Sequence, residues 1–180
     1  MISLIIPCFN EEKNIEKLFN KLNFLLNENS RENIEIIIVN NGSTDNSESL
    51  IKQHSLYLKK KINLLTIKKN VGYGDGINKG IHYSSGEVLC WFHADLQFDP
   101  LDAIEIYKKY KSDLNDQEIM IKGRRINRSL FDSFFTFGMS LFTLLLFGKK
   151  IDDINAQPKI FNRNFLKLVD NPPIDFSYDV

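Results

Sequence analysis

The 180-residue sequence has little cysteine, no net charge and no apolar run of bilayer length. Its cysteines, Cys8 and Cys90, each sit in an apolar, strand-like run. That predicts small buried hydrophobes in a reducing compartment and excludes a disulfide scaffold or a thiolate zinc site. Lysine plus arginine number 23 and aspartate plus glutamate number 23. Nothing in that balance attracts a polyanion, so no nucleic acid is expected as partner. Met1 to Pro7 lacks a basic stretch, which predicts no signal peptide and a cytoplasmic protein. No P-loop occurs, and the glycines of residues 70–80 do not fit G-x-G-x-x-G. No Ser-His-Asp or Cys-His set stands in a sensible context, and His54 and His82 lack partners at ligand spacing.

What is present is ordinary globular composition, with 43% hydrophobic and 26% charged residues, enough for one domain over residues 1–180. Ser3 to Ile6 reads as a buried strand stopped by Pro7. Ile15, Leu18, Phe19, Leu22, Leu25 and Leu26 then recur at helical spacing behind Glu11 and Glu12. Ile34 to Val39 predicts a second strand, broken by Asn40-Asn41-Gly42-Ser43. Thr44 or Asp45 is expected to cap a helix running towards Lys60. Ile62–Ile67 and Val88–Phe92 read as further strands, separated by a glycine loop and a short helix. A helix follows Pro100, and a strand covers Ile119–Ile121. Alternating strands and helices imply an α/β fold of parallel units, with ligands beyond the strand C-termini. The glycines of the loop permit close backbone approach, and packing is their commoner use. Phe176 to Val180 ends without a polar tail, which predicts a longer natural protein.

Leu130 to Phe147 is the most hydrophobic stretch, but polar residues interrupt it short of the ~20 apolar residues that span a bilayer. Arg124, Arg125 and Arg128 precede it and Lys149-Lys150 follow. Residues 128–148 are therefore read either as an amphipathic interfacial helix on anionic headgroups or as a core helix. At the end of the Val88–Phe92 strand, His93-Ala94-Asp95-Leu96-Gln97 places lone-pair side chains at alternate positions. In extended backbone these would face one way and could share a divalent cation opposite a diphosphate. The alternative is a loop whose polar groups cap the next helix.

In order along the chain, SLIIPCFNEE at 3–12, IIVNNGSTD at 37–45, the glycine loop through Asn78 and Gly80, and Gly86-Glu87 through Asp95-Leu96-Gln97 to Asp99-Pro100 resemble one family. Gly123-Arg124-Arg125 and Asp153 with Phe161 continue the match. The resemblance is to the family 2 inverting glycosyltransferases of GT-A fold, especially the dolichol-phosphate mannose synthase-like branch with polyprenyl-phosphate acceptors. It implies a GT-A, Rossmann-like, mostly parallel sheet flanked by helices. It also implies transfer of a hexose from a nucleotide-diphosphate sugar to an acceptor at the cytoplasmic membrane face. By this resemblance Pro7, Phe9, Asn10, Glu11, Asn40, Asn41 and Asn78 would line the nucleotide pocket. His93, Asp95 and Gln97 would hold Mg2+ or Mn2+, and Arg124 and Arg125 would bind phosphate. Asp153 and Asp179 would be the base candidates for a saccharide hydroxyl, whereas a lipid phosphate is already anionic.

This chain departs from the family's usual Asp-x-Asp at His93-Ala94-Asp95, from Asp-Asp-Gly-Ser at Asn40–Ser43, and from a glycine after Asp153. Imidazole ligation predicts a preference for Mn2+. An amide in place of a carboxylate predicts a UDP-sugar over a guanine nucleotide. A saccharide acceptor and a catalytically inactive nucleotide-sugar-binding protein remain alternative readings.

Overall fold

The computed structural model describes residues 1–115, 119–124, 148, 153 and 155–179. Among the described residues six strands form one sheet: β1 (Ile2–Cys8), β2 (Ile34–Asn41), β3 (Asn63–Ile67), β4 (Val88–Trp91), β5 (Met120–Lys122) and β6 (Lys159–Asn162), in the order β3-β2-β1-β4-β6-β5. The helices are α1 (Glu12–Glu28), α2 (Ser47–Gln53), α3 (Ser55–Leu58), α4 (Tyr73–Tyr83) and α5 (Pro100–Lys109). Strands β1 to β4 pair in parallel, and β6 runs antiparallel to both β4 and β5. The sheet is thus mostly parallel, as the resemblance implies, with an antiparallel far edge that the run of alternating strands and helices did not announce. Strand β6 left little signal because only Ile160-Phe161 is apolar behind Lys159 and its partner β4 lies far back in the chain.

The period of two in the strands builds two cores. Ile2, Leu4, Ile6 and Cys8 of β1 face α1, α2 and α5, whereas Ile5 joins Val39, Ile77, Ile81 and Trp91 under α4. The apolar stripe expected on α1 is the buried one, Ile15, Leu18, Phe19, Leu22 and Leu25. Helix α4 lies unusually close to the sheet. A Cβ at Gly80 would stand 2.5 Å from Ile5 Cγ2 and 2.7 Å from Val39 Cγ2, so only glycine fits. Both cysteines are buried, and burial pushes the Cys8 thiol up to about 12.

Pro7 does not stop β1. Its register with β4 ends at Ile5, so on that side Pro7 meets no ladder that would need its missing N–H. The helix expected to run towards Lys60 breaks at His54, whose Nδ1 accepts from Leu56 N and whose ring meets Phe19 edge-on at 4.4 Å. Neither Thr44 nor Asp45 is the N-cap of α2, a position held by Asn46. Asp45 instead accepts from Ser47 N and, across the fold, from Glu12 N. Glu11 N donates to Ser47 Oγ, Thr44 N to Asn10 Oδ1 and Asn46 N to Glu12 Oε2. The orphan N–H groups at the start of α1 are thus capped from the β2–α2 loop, which locks two loops together at the C-terminal edge of the sheet.

Candidate functional site

Strand order outward from β1 reverses between β1 and β4, so the loops after these two strands flank a crevice. Phe9, 45% exposed, and Asn10, held at φ 57°, follow β1. Pro7 is half-buried just before them, and its carbonyl accepts from Ala94 N in the loop after β4. Glu11 Oε2 accepts from Asn14 Nδ2 at 2.6 Å.

Asn40 and Asn41 are the last residues of β2, not a turn. As successive strand residues they point to opposite faces, so they cannot read one ligand as a pair. Asn40 donates to Glu48 Oε2 and accepts from Ser43 N, which makes it a brace for the turn. Asn41 faces α4, where a Cβ at Gly76 would approach its amide nitrogen to 2.8 Å. Its nitrogen donates to Gly72 O at 2.9 Å, which fixes the amide orientation, and among the described residues its buried Oδ1 has no hydrogen-bond partner. An orphan acceptor of this kind is uncommon and fits a single incoming N–H donor.

The segment His93–Gln97 is turn-like rather than extended, with Leu96 at φ 64°. Gln97 N folds back onto Asp95 Oδ1 at 3.0 Å, so alternation does not align the three polar side chains. His93 and Asp95 nevertheless meet, Nδ1 to Oδ2 at 3.9 Å, both about a quarter exposed. His93 N donates to Gln157 Oε1, and Nε2 lies 2.6 Å from the Tyr73 hydroxyl. Burial depresses the basicity of His93 although Asp95 and Asp179 oppose it, so the neutral ring keeps a lone pair for a ligand. A cation fits between His93 Nδ1 and Asp95 Oδ2 if substrate phosphates complete its shell. Among the described residues no cluster of three His, Cys, Asp or Glu residues could hold a metal alone.

Tyr73 connects this edge to the acidic residue at the end of the chain. Its hydroxyl donates to Asp179 Oδ2 at 3.4 Å, and Asp179 Oδ1 takes the Lys159 ammonium in a buried ion pair. Burial and the Asp179 charge both push the Tyr73 phenol up. Burial pulls Lys159 down against the counteracting pull of Asp179. Asp179 and Lys159 also line a cavity of about 610 Å³ between α4 and residues 163–179. Asn78 lines the same cavity from the middle of α4, away from the loops that carry Asn10 and Glu11. Asp153, 6% exposed at φ 50°, has a carbonyl that accepts from Lys122 Nζ. Arg124 is exposed, whereas Arg125 and the 125–147 stretch lie outside the described residues.

Tyr73, Gln157 and Lys159 are site residues that the sequence reading missed. Only Lys159 left a usable signal, a charge inside the apolar Lys159-Ile160-Phe161 run, 2% exposed in the fold.

The dolichyl-phosphate beta-glucosyltransferase of Dictyostelium discoideum is 28% identical over 190 residues, covering 93% of this chain and 56% of its own. A mannosyltransferase from Pyrobaculum calidifontis, solved with GDP-Man and Mn2+, superposes with a TM-score of 0.68 at 18% identity, covering 99% of this chain and 49% of that one. Glucosyl-3-phosphoglycerate synthase from Mycobacterium tuberculosis, solved with Mn2+, UDP and glucosyl-3-phosphoglycerate, reaches 0.68 at 16% identity over 96% and 60% of the two chains. The expected GT-A fold is thereby found. The chain spans about half the length of the curated relatives it matches. Its residues 3–163 match Glycosyl transferase family 2, the family to which this chain belongs.

Proposed function

We propose that the protein transfers a hexose, with inversion, from a UDP-sugar to a polyprenyl-phosphate acceptor at a membrane surface. The observation that carries this reading is the presence of the buried, unpaired Asn41 oxygen and the His93–Asp95 pair at the same C-terminal edge of the sheet, in a chain of this family. Dolichyl-phosphate beta-glucosyltransferases that match over nine-tenths of the chain support the acceptor class.

In this reading Asn41 Oδ1 accepts the single N3–H of uracil. Guanine offers adjacent N1–H and N2–H donors, and Asn41 has one acceptor atom to meet them because its nitrogen is held by Gly72 O. Pro7, Phe9, Asn10 and Glu11 line the same edge for the nucleoside. His93 Nδ1 and Asp95 Oδ2 would hold Mn2+ or Mg2+, with exposed Gln97 as a further oxygen donor. The cation supplies charge neutralisation at the departing diphosphate. Arg124 and Arg125 add phosphate contacts.

An acceptor phosphate oxygen attacks C1 of the hexose from the face opposite the diphosphate, and the C1–O bond to the diphosphate breaks. The nucleophile is already anionic, so no proton must be removed and positioning dominates. A saccharide hydroxyl would need Asp153 or Asp179 as base. The oxygens of Asp179 are engaged by Lys159 and Tyr73, which favours the anionic acceptor. Among the described residues no helix is long and apolar enough to cross a membrane. Contact with the bilayer is assigned to residues 128–148, of which 128–147 lie outside the described residues.

Calorimetric titration with UDP and GDP in Mn2+ tests the donor. UDP should bind about five-fold tighter, the worth of one neutral hydrogen bond near 1 kcal/mol. Asn41→Ala should erase that difference. GDP binding as tightly as UDP would overturn the donor assignment.

A further inference from the structure

Tyr73 belongs to none of the binding roles above, yet its hydroxyl sits between His93 and Asp179. Protons can be placed on this chain of groups by elimination. Asp179 is ion-paired with Lys159 through Oδ1, and its Oδ2 accepts from the Tyr73 hydroxyl at 3.4 Å. A phenol has one hydrogen. With that hydrogen on the Asp179 side, the 2.6 Å contact between the Tyr73 oxygen and His93 Nε2 draws its hydrogen from the imidazole. A neutral ring protonated on Nε2 has a bare Nδ1. That bare nitrogen faces Asp95 Oδ2 at 3.9 Å, so two lone-pair groups confront each other until a cation lies between them. In the opposite arrangement the phenol donates to Nε2 and turns a lone pair on the Asp179 carboxylate. Nδ1 would then carry a hydrogen and could not ligate.

We propose that Tyr73, with Asp179 behind it, is a positioning residue that fixes His93 as the Nε2–H tautomer and so presents Nδ1 to the divalent cation beside Asp95. The proposal rests on the reading of His93 and Asp95 as cation ligands. The ring that carries the hydroxyl is itself held: Tyr73 meets His93 edge-on at 5.0 Å and stacks on Phe176 at 5.1 Å with planes 16° apart. His93 is held from its other end by Gln157 Oε1 on its backbone N–H. A histidine standing where the family usually carries a carboxylate acquires a requirement that a carboxylate lacks, because only one of its two neutral tautomers can ligate through a given nitrogen.

The test uses the whole protein labelled with 15N-histidine. Long-range proton–nitrogen spectra of the metal-free protein report which ring nitrogen carries hydrogen, and His93→Gln identifies the His93 signals among the three histidines. Mn2+ binding with UDP present is read by electron paramagnetic resonance. The proposal expects the Nε2–H tautomer in the unaltered protein. Tyr73→Phe should lose that preference and bind Mn2+ about 10–100-fold more weakly, the usual effect of removing a ligand's hydrogen-bond partner. Asp179→Asn should shift the tautomer in the same direction, since its amide can donate to the Tyr73 oxygen and free the phenol hydrogen for Nε2. An Nδ1–H tautomer in the unaltered protein, or Mn2+ affinity within two-fold of it in Tyr73→Phe, would overturn the positioning role. Absence of Mn2+ binding by the unaltered protein despite the Nε2–H tautomer would instead overturn the cation reading beneath it.

Discussion

Replacing Lys159 with methionine removes one partner of an ion pair whose side chains are only 3% and 7% exposed. The stem volume is kept, so the loss is electrostatic rather than a cavity. The Asp179 carboxylate is left buried with the Tyr73 hydroxyl at 3.4 Å as its remaining hydrogen-bond partner. The contact of the ammonium with the Trp91 ring, 5.5 Å to the centroid, is lost as well. Breaking a buried pair from one side costs about 3–5 kcal/mol. For a chain of this length that is a fall in melting temperature of roughly 6–20 °C. Trp91 is the sole tryptophan and touches both Lys159 and Tyr178, so its fluorescence in a urea titration reports the site directly. Lys159→Met with Asp179→Leu should recover most of the loss, since an apolar pair can replace a buried ionic one. A single-variant deficit below about 1 kcal/mol, the scale of exposed pairs, would refute the buried-pair reasoning.

Gly80→Ala should cost about 1–3 kcal/mol by forcing Ile5 and Val39 aside, and an unchanged melting temperature would contradict the close seating of α4. Ser3→Ala removes the acceptor for Gly86 N and a donor to Glu35, with an expected loss of about 1–3 kcal/mol by chemical denaturation. Burial opposes ionisation of Glu35, but hydrogen bonds from Ser3, Ser85 and Gly86 outweigh it and hold its pKa low. Its contribution is therefore present above the ordinary glutamate pKa and lost as pH falls through the folded value, an acid slope that Glu35→Gln should flatten.

The strands and helices that carry strong local periodicity could be read directly, as with the α1 stripe and the β-branched run of β2. Where the fold departed from expectation, the deciding contact was remote. Asp45 caps α1 as well as accepting from Ser47 N at the start of its own helix, because Glu12 N arrives from 33 residues away. Asn40-Asn41-Gly42-Ser43 has turn composition, but hydrogen bonding to β1 and β3 extends the strand through both asparagines and sends them to opposite faces. The alternate spacing of His93, Asp95 and Gln97 held meaning only for extended backbone, which Leu96 at φ 64° interrupts. The chain of contacts from His93 through Tyr73 to Asp179 had no local signature, because the packing of α4 over β1 and β2 and against the Phe176–Asp179 turn creates it.

The central claim is hexose transfer from a UDP-sugar to a lipid phosphate. The direct measurement incubates the protein with Mn2+, vesicles containing polyprenyl phosphate and radiolabelled UDP- or GDP-hexoses, then follows label into the organic phase. The account predicts organic-soluble, acid-labile label from a UDP-hexose, dependent on polyprenyl phosphate and abolished by Asp95→Ala. Label that stays in the aqueous phase with every UDP-hexose, or that moves equally well with Asp95→Ala, would contradict it.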